Sequence, residues 1–284
     1  MSGYDIIGDV HGHMSLLEQL LDQLGYLKKD ESFFHPRGRK AVFVGDIINR
    51  GKETVGVLTI IRRMHQCEEA YIVLGNHEFG LLQLFIINPS NVDPHLIEFI
   101  PWIRSLPLFL EFPEFRVVHA AWHLPSIELL KNKDLKDEHF IRNILYKNSD
   151  YKDAVRIILR GISVPVPEEL KYFDRFGVER KKARIRWWEK RKKTISGADF
   201  FPACQKMKNI EFENKIKHPE KSYSINELPV FFGHFCLPEH EPKVINNLVC
   251  LDGCVTSGNI LWAYQHNNNE KISPECLVRT QKQN

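Results

Sequence analysis

Five short apolar runs in this chain each lead into a polar motif, and that repeated junction constrains the fold more than any other feature. The runs are Tyr4-Asp5-Ile6-Ile7, Ala41-Val42-Phe43-Val44, Ala70-Tyr71-Ile72-Val73-Leu74, Phe115-Arg116-Val117-Val118 and Pro229-Val230-Phe231-Phe232. The motifs are Gly8-Asp9-Val10-His11-Gly12, Gly45-Asp46-Ile47-Ile48-Asn49-Arg50-Gly51, Gly75-Asn76-His77-Glu78, Val118-His119-Ala120 and Gly233-His234-Phe235. Short β-branched and aromatic runs bounded by turn residues read as buried strands. Strands of an open sheet deliver their carboxyl-end loops to one crevice. The polar side chains are therefore expected to converge.

What converges is Asp9, His11, Asp46, Asn76, His119 and His234, a set of carboxylate, carboxamide and imidazole groups without a thiolate. Mixed oxygen and nitrogen donors suit Mn²⁺, Fe, Zn²⁺ or Mg²⁺ rather than a soft-metal or iron–sulfur centre. Six donors exceed what one catalytic ion with an open position takes, but they serve two ions if one carboxylate bridges. Asp46 is the natural bridge. A pair of ions roughly 3.5–4 Å apart is the clamp used for in-line phosphoryl displacement. A ligand just after a strand needs a sharp reversal, so Gly8, Gly45, Gly75 and Gly233 are expected to take dihedrals other residues avoid.

The intervening segments supply helices. Leu16, Leu17, Leu20, Leu21 and Leu24 recur at helical spacing after Met14; Val55, Leu58, Ile61 and Arg62 form a second stripe, and a third helix runs from Phe79 to Ile87 after the Asn76 loop. Alternating strands and helices imply a parallel sheet with right-handed crossovers. Later strands with fewer helices between them suggest a second sheet packed on the first. Hydrophobic residues make up 43% of 284, enough for one substantial core or one core with an insertion. No apolar stretch is long enough to span a bilayer. The first strand begins by Tyr4, which leaves no room for a signal peptide, and six cysteines show no disulfide-like pattern. Together these set the cytoplasm as the expected compartment.

Between residues 124 and 228 the pattern loosens and charge rises. Lys131 to Lys147 reads as an amphipathic helix carrying Phe140, Ile141, Ile144 and Leu145, and Ser163-Val164-Pro165-Val166-Pro167 as a rigid connector outside regular structure. Inserted between two ligand-bearing strands, this segment is placed to select substrates. Within it, 180–193 holds nine cations and the pair Trp187-Trp188. One reading is a polyanion groove in which the rings stack on bases. The other is a solvated element whose Ile185 and Trp187 face a core on alternating positions, and it is favoured for the tryptophans. A net charge of +3 is too mild to demand a nucleic-acid partner.

The ordered motifs resemble the calcineurin-like metallophosphoesterases, in the branch that holds the serine/threonine protein phosphatases and the symmetrical diadenosine tetraphosphatases. Arg50-Gly51 at the end of the second motif marks that branch. The resemblance covers 4–123 and 228–265 well. It implies an α/β fold, a two-sheet sandwich flanked by helices, as one domain over 1–284 with 124–228 as a cap or substrate-selecting insertion. It also implies a dinuclear phosphohydrolase. Asp9 and His11 resemble terminal ligands of the first metal, Asp46 the bridge, and Asn76, His119 and His234 ligands of the second. The nucleophile implied is a water or hydroxide between the ions, of which Mn²⁺ is the leading candidate. His77 resembles the general acid for the leaving oxygen, and Arg50 the guanidinium that grips phosphoryl oxygens.

The chain departs from the family at three places. Asn49 stands where relatives carry an Asp paired with the general-acid histidine. Leu74 replaces the Arg that eukaryotic protein phosphatases place before Gly-Asn-His-Glu. For their second phosphate-binding arginine Arg160, in Leu159-Arg160-Gly161, is a candidate, the other reading being a solvated basic loop residue. Cys250-Leu251-Asp252-Gly253-Cys254-Val255 followed by Gly258 to Ala263 is similar to the strand–turn–strand that closes the sheet in dinucleoside tetraphosphatases, with Leu261 to Tyr264 as the last strand. Cys250 and Cys254 lack a second pair at zinc spacing and read as buried or turn cysteines. The expected substrate is a dinucleoside polyphosphate or related nucleotide. A serine/threonine phosphoprotein is the alternative, and a catalytically weak nucleic-acid-binding module a weaker one.

Overall fold

A computed structural model describes residues 3–170, 172–173, 178–189, 193–213, 223–237, 241–268 and 270–281. The chain divides into two compact units, one formed by Met1–Leu159 with Leu228–Asn284 and one by Arg160–Glu227.

The first unit is a sandwich of two five-stranded sheets. In the first sheet Tyr4–Ile7 runs parallel to Lys40–Phe43, which is parallel to Ala70–Ile72, as the βαβ pattern requires. Trp262–His266 adds antiparallel on the other side of Tyr4–Ile7, and Leu277–Arg279 pairs antiparallel with it at the edge. In the second sheet Val230–Phe232 lies parallel to both Arg116–Val118 and Leu248–Cys250, and Phe109–Glu111 and Lys243–Ile245 close the edges antiparallel. Ile6, Val42, Val44 and Tyr264 from one sheet meet Val117, Phe231, Val249 and the adjoining Phe115 and Leu251 from the other in one buried cluster. Every one of these positions is apolar, so closing the sandwich removes both inner faces from water.

Helices cover the outer surface. Met14–Gln23 buries Leu16, Leu17, Leu20 and Leu21, and Thr54–Gln66 buries Val57, Leu58, Ile60, Ile61 and Met64. The third helix begins at Asn76 rather than after it, because Glu78 in its first turn accepts the Gly75 N–H and caps the start. Asn76 and His77 thus sit on a helix terminus and not on a free loop. The amphipathic run after Lys131 is also shorter than its periodicity suggests. Asp137 accepts from the N–H groups of His139 and Phe140, starting the helix at Glu138–Tyr146. Phe140, Ile141 and Ile144 are buried as expected. An edge strand at Leu277–Arg279 and a short helix at Val255–Gly258 carry no periodic signal in the sequence and were not expected.

The second unit is built from paired two-stranded ribbons. Ser163–Pro165 is one of them, antiparallel to Lys182–Arg184, so the proline-containing stretch is a strand and not an irregular connector. Pro165 is tolerated because it closes a two-stranded ribbon, where its missing N–H breaks no central ladder. Trp187 and Trp188 are both buried. The Trp188 ring meets Phe201 at 6.1 Å, so the pair belongs to a small aromatic core, whereas alternation would have buried Trp187 alone. Lys190, Arg191 and Lys192 of the basic run lie outside the described residues.

Two of the six cysteines are joined, which the sequence did not suggest: Cys236 and Cys254 form a disulfide across a separation of 18. Their loops are tied by bonds from Leu251 N to the Phe232 carbonyl and from Leu237 N to the Asp252 carbonyl. Cys254 is therefore a cross-linked residue. Cys250 is a buried thiol, pushed well above its usual pKa by burial and by the charge of Asp252.

Candidate metal centre

The strand ends bring the motif side chains together in the first unit. His11, Asp46 and His77 offer ligand atoms within 4.8 Å of one another, and Asp46, His119 and His234 do the same. Asp46 belongs to both groups. Its Oδ2 faces His11 Nε2 at 3.8 Å and His77 Nε2 at 3.9 Å, while its Oδ1 faces His119 Nε2 at 3.4 Å. Asn76 joins the second group, with Oδ1 3.1 Å from His119 Nε2. Asp9 adjoins it, accepting the His234 backbone N–H at 3.0 Å.

The imidazoles are oriented from behind. Nδ1 of His11 lies 3.1 Å from the Ile48 carbonyl, and Nδ1 of His119 lies 2.8 Å from the Val44 carbonyl. A carbonyl only accepts, so each Nδ1 carries a proton, and in the neutral ring Nε2 keeps its lone pair toward Asp46. This is the tautomer a metal requires.

The strain of the turns sits on the candidate ligands. His11, Asp46 and His234 have φ of 47°, 49° and 68°, left-handed values that non-glycine residues rarely adopt. Asn49 and Arg50 share that region, at 66° and 71°. The expectation that the preceding glycines take the unusual dihedrals holds at Gly45, with φ 97°. At Gly75 the backbone is extended, and the glycine is needed for space: a Cβ there would collide with Asp46 N and with the carboxylates of Asp46 and Glu78. Such strain at non-glycine residues clusters at functional sites held by their surroundings.

The electrostatics are those of a site built for cations. Asp9, Asp46, Glu78 and Asp252 are all buried. Burial and then the charges of Asp252 and Asp46 push Asp9 well above the usual carboxylate range. Burial alone would raise Asp46 as well, but the imidazoles of His119, His11 and His77 outweigh it and hold the group well below that range. Burial lowers His11 to about 4, keeping it neutral near pH 7. Burial lowers His119 also, yet Asp46 beside it wins and the net shift is upward. Clustered buried carboxylates with inward-facing imidazole nitrogens fit divalent ions with hard and borderline ligands.

Two further sequence candidates are His77, which lies within the first group, and Arg50. His77 takes a contact from Asn49, whose Nδ2 is 2.9 Å from its Nδ1, and its backbone N–H donates to Asp46 Oδ1 at 2.9 Å. Arg50 is exposed at the rim of the same loop. Arg160 is the exposed last residue of the helix Asp150–Arg160. Glu78 and Asp252 were missed as site residues. The first had a legible signal, a Glu three residues after the Gly that begins a helix.

Comparison with known proteins agrees with this geometry. The chain is 31% identical over 157 residues to the asymmetrical bis(5'-nucleosyl)-tetraphosphatase PrpE of Oceanobacillus iheyensis, a match that covers 48% of this chain and 62% of the relative. It is 25% identical over 297 residues to the symmetrical bis(5'-nucleosyl)-tetraphosphatase of Marinomonas sp., covering 96% and 97%. The chain thus spans less than two thirds of the length of the asymmetrical relative it matches. A crystal structure of a cold-active protein-tyrosine phosphatase from a psychrophilic Shewanella shares the fold, with a TM-score of 0.53, 14% identity, and coverage of 98% of this chain and 77% of that one. The family model for calcineurin-like phosphoesterases matches residues 4–196. With its motif residues gathered at one sandwich edge and most of its length matched, the chain belongs to the calcineurin-like phosphoesterase family.

Proposed function

We propose that this protein is a phosphohydrolase that uses two divalent ions, with a dinucleoside polyphosphate or related nucleotide as its substrate. Calcineurin-like phosphoesterases depend on two metal ions, and the described residues of the chain include two candidate ligand groups. One observation carries the reading: the Asp46 carboxylate turns one oxygen toward His11 and His77 and the other toward His119. A carboxylate shared in that way serves two ions. His11 would complete one position and Asn76, His119 and His234 the other, with Asp9, whose carboxylate accepts the His234 N–H, assigned to the first by the family resemblance. Mn²⁺ is the first candidate, with Fe, Zn²⁺ and Mg²⁺ as alternatives for the same donors. Such a pair, when bound, supplies an activated water and neutralises charge on the phosphoryl oxygens.

The remaining work falls to side chains of this chain. Arg50, exposed at the end of the Asp46 loop, carries a planar fork suited to two phosphoryl oxygens. His77 presents Nε2 toward the Asp46 carboxylate and is placed to pass a proton to the leaving oxygen. Asn49 holds that ring from behind. The nucleotide preference draws support from the similarity to two bis(5'-nucleosyl)-tetraphosphatases. A phosphoprotein remains the alternative substrate. The nucleic-acid-binding reading loses its stacking platform, because Trp187 and Trp188 are buried. We further propose that the 124–228 segment selects the substrate.

The test is metal content together with turnover of diadenosine tetraphosphate, phosphopeptides, an aryl phosphate and 5′-phosphorylated oligonucleotides under Mn²⁺. The expected result is about two ions per chain and highest kcat/KM on the dinucleotide. Absence of bound metal and of turnover on all four substrates would refute the reading, and preference for phosphopeptides would transfer it to the alternative.

A further inference from the structure

Glu78 is completely buried, and the hydrogen bonds its carboxylate makes among the described residues are all to backbone N–H groups. Oε2 accepts the N–H groups of Asp46 and Gly75, each at 2.9 Å. Oε1 accepts those of Ile47 at 2.9 Å and Ile48 at 3.1 Å. Three of the four donors are consecutive, so the loop after the second strand curls its amides around one anion as a nest. The fourth comes from the residue that precedes Asn76. One side chain therefore ties the loop carrying Asp46 to the helix start carrying Asn76 and His77.

The tie acts where the backbone is least comfortable. Asp46 is left-handed at φ 49°, a conformation that persists in a non-glycine residue only when its surroundings over-determine it. Glu78 holds the N–H of that residue and of the two that follow. Gly75 leaves the carboxylate room to do so, since any Cβ there would strike Asp46 and Glu78. The Asp46 carboxylate emerges from this frame with Oδ1 fixed by the His77 N–H at 2.9 Å and Oδ2 left facing His11 and His77.

We infer that Glu78 is a positioning residue: by gripping four backbone N–H groups it sets the aim of the Asp46 carboxylate and so the affinity of the centre for its ions. The inference rests on the two-ion reading of the site. Glu78 has no lone pair to spare for an ion or a substrate once four donors occupy it. Its effect must therefore pass through Asp46 and Asn76. Partners that orient metal ligands govern affinity strongly, and their loss commonly costs about 10–100-fold.

The test replaces Glu78→Gln, which keeps shape but turns an NH₂ group toward two buried N–H donors. Mn²⁺ binding by calorimetry and Mn²⁺-dependent kcat and KM on an aryl phosphate are measured for wild type and variant, with amide hydrogen exchange as the local readout. The expected result is Mn²⁺ affinity weakened about 10–100-fold, faster exchange at Asp46, Ile47, Ile48 and Gly75, and kcat regained to within a few-fold at saturating Mn²⁺. A purely structural role would lower thermal stability and leave Mn²⁺ affinity per folded molecule unchanged, and that result overturns the inference. A kcat that stays low at saturating Mn²⁺ also overturns it, because it assigns Glu78 to the chemistry. If Glu78→Gln does not fold, Glu78→Asp, which keeps the charge but loses one methylene of reach, is read by the same criteria. A wild-type protein that binds no Mn²⁺ or other divalent ion rejects the two-ion reading itself, an outcome distinct from a variant that binds as well as wild type.

Discussion

Asn49 Nδ2 stands 2.9 Å from His77 Nδ1, and this contact sets the chemistry of the ring. A carboxamide nitrogen only donates, so Nδ1 accepts and the neutral imidazole carries its proton on Nε2. That nitrogen faces Asp46. A carboxylate at position 49 would reverse the arrangement, accepting from Nδ1–H and stabilising the imidazolium.

If His77 delivers the proton, His77→Ala should slow hydrolysis of a poor leaving group by about 10²–10⁴-fold, the usual share of general acid catalysis. The penalty should shrink on nitrophenyl phosphate, whose leaving group needs little protonation. Because an anion at position 49 favours the protonated ring, Asn49→Asp should move the alkaline limb of the pH–rate profile upward. The shift should vanish in the Asn49→Asp, His77→Ala double variant. Profiles of kcat/KM on a poor leaving group with metal occupancy verified decide this; an unchanged alkaline limb separates the two residues. Near-complete loss of metal from His77→Ala would instead make His77 a ligand, as its place beside His11 and Asp46 allows.

Asp46→Asn should remove turnover and lower metal content more than a change at any other candidate ligand. Both carboxylate oxygens face imidazole groups, so one substitution weakens both ion positions. Elemental analysis after gel filtration, run beside Asp9→Asn and His234→Ala, is the check. Near-normal metal and rate in Asp46→Asn would remove the bridge.

Replacing Lys190, Arg191, Lys192 and Lys193 with Ser should leave aryl phosphate hydrolysis within a few-fold, since no motif ties them to the centre. If they meet a large polyanionic substrate, its KM should rise and lose salt dependence. Initial rates at two ionic strengths for a small and a large substrate give the answer. Equal behaviour of both substrates returns these residues to the solvated surface.

His266 predicts an acid-side loss of stability unrelated to the metal centre. Its ring is buried against Phe115 at 5.0 Å and Phe231 at 5.7 Å, and its Nε2 makes no hydrogen bond among the described residues. Burial lowers its pKa from 6.5, against the raising charges of Glu114 and Glu270 and with a smaller lowering from Arg39. Below 6.5 the unfolded chain therefore binds the proton first, so stability falls as pH drops from 6.5 toward the depressed folded value. His266→Leu should remove this slope. Urea midpoints of wild type and variant between pH 7.5 and 5 measure it, and parallel curves would contradict it.

Much of the core was legible because its signals are local. The short apolar runs before the five motifs are bounded by turn residues and read as strands, and the leucine stripe after Met14 reads as a helix. The helix start at Asn76 carried a legible capping signal in the Gly75 and Glu78 spacing, and what the sequence left open was the bond of Glu78 to the Asp46 loop. The Pro165 strand was missed because its permission comes from an edge position. Both tryptophans at 187 and 188 are buried because Phe201 covers one of them, which no alternation rule contains.

The order of motifs and their chemistry by themselves singled out Asp9, His11, Asp46, Asn76, His119 and His234 as the donors of the proposed mixed oxygen and nitrogen centre, since donor type and position after an apolar run are properties of the chain alone. Only the tertiary structure decided how those groups face one another. The opposite oxygens of Asp46, the imidazole tautomers enforced by the Ile48 and Val44 carbonyls, the four amides on Glu78 and the Cys236–Cys254 cross-link all join residues from different strand ends. Such contacts depend on sheet register and loop dihedrals, which are set by burial of the whole sandwich and leave no periodic trace in the residues that make them.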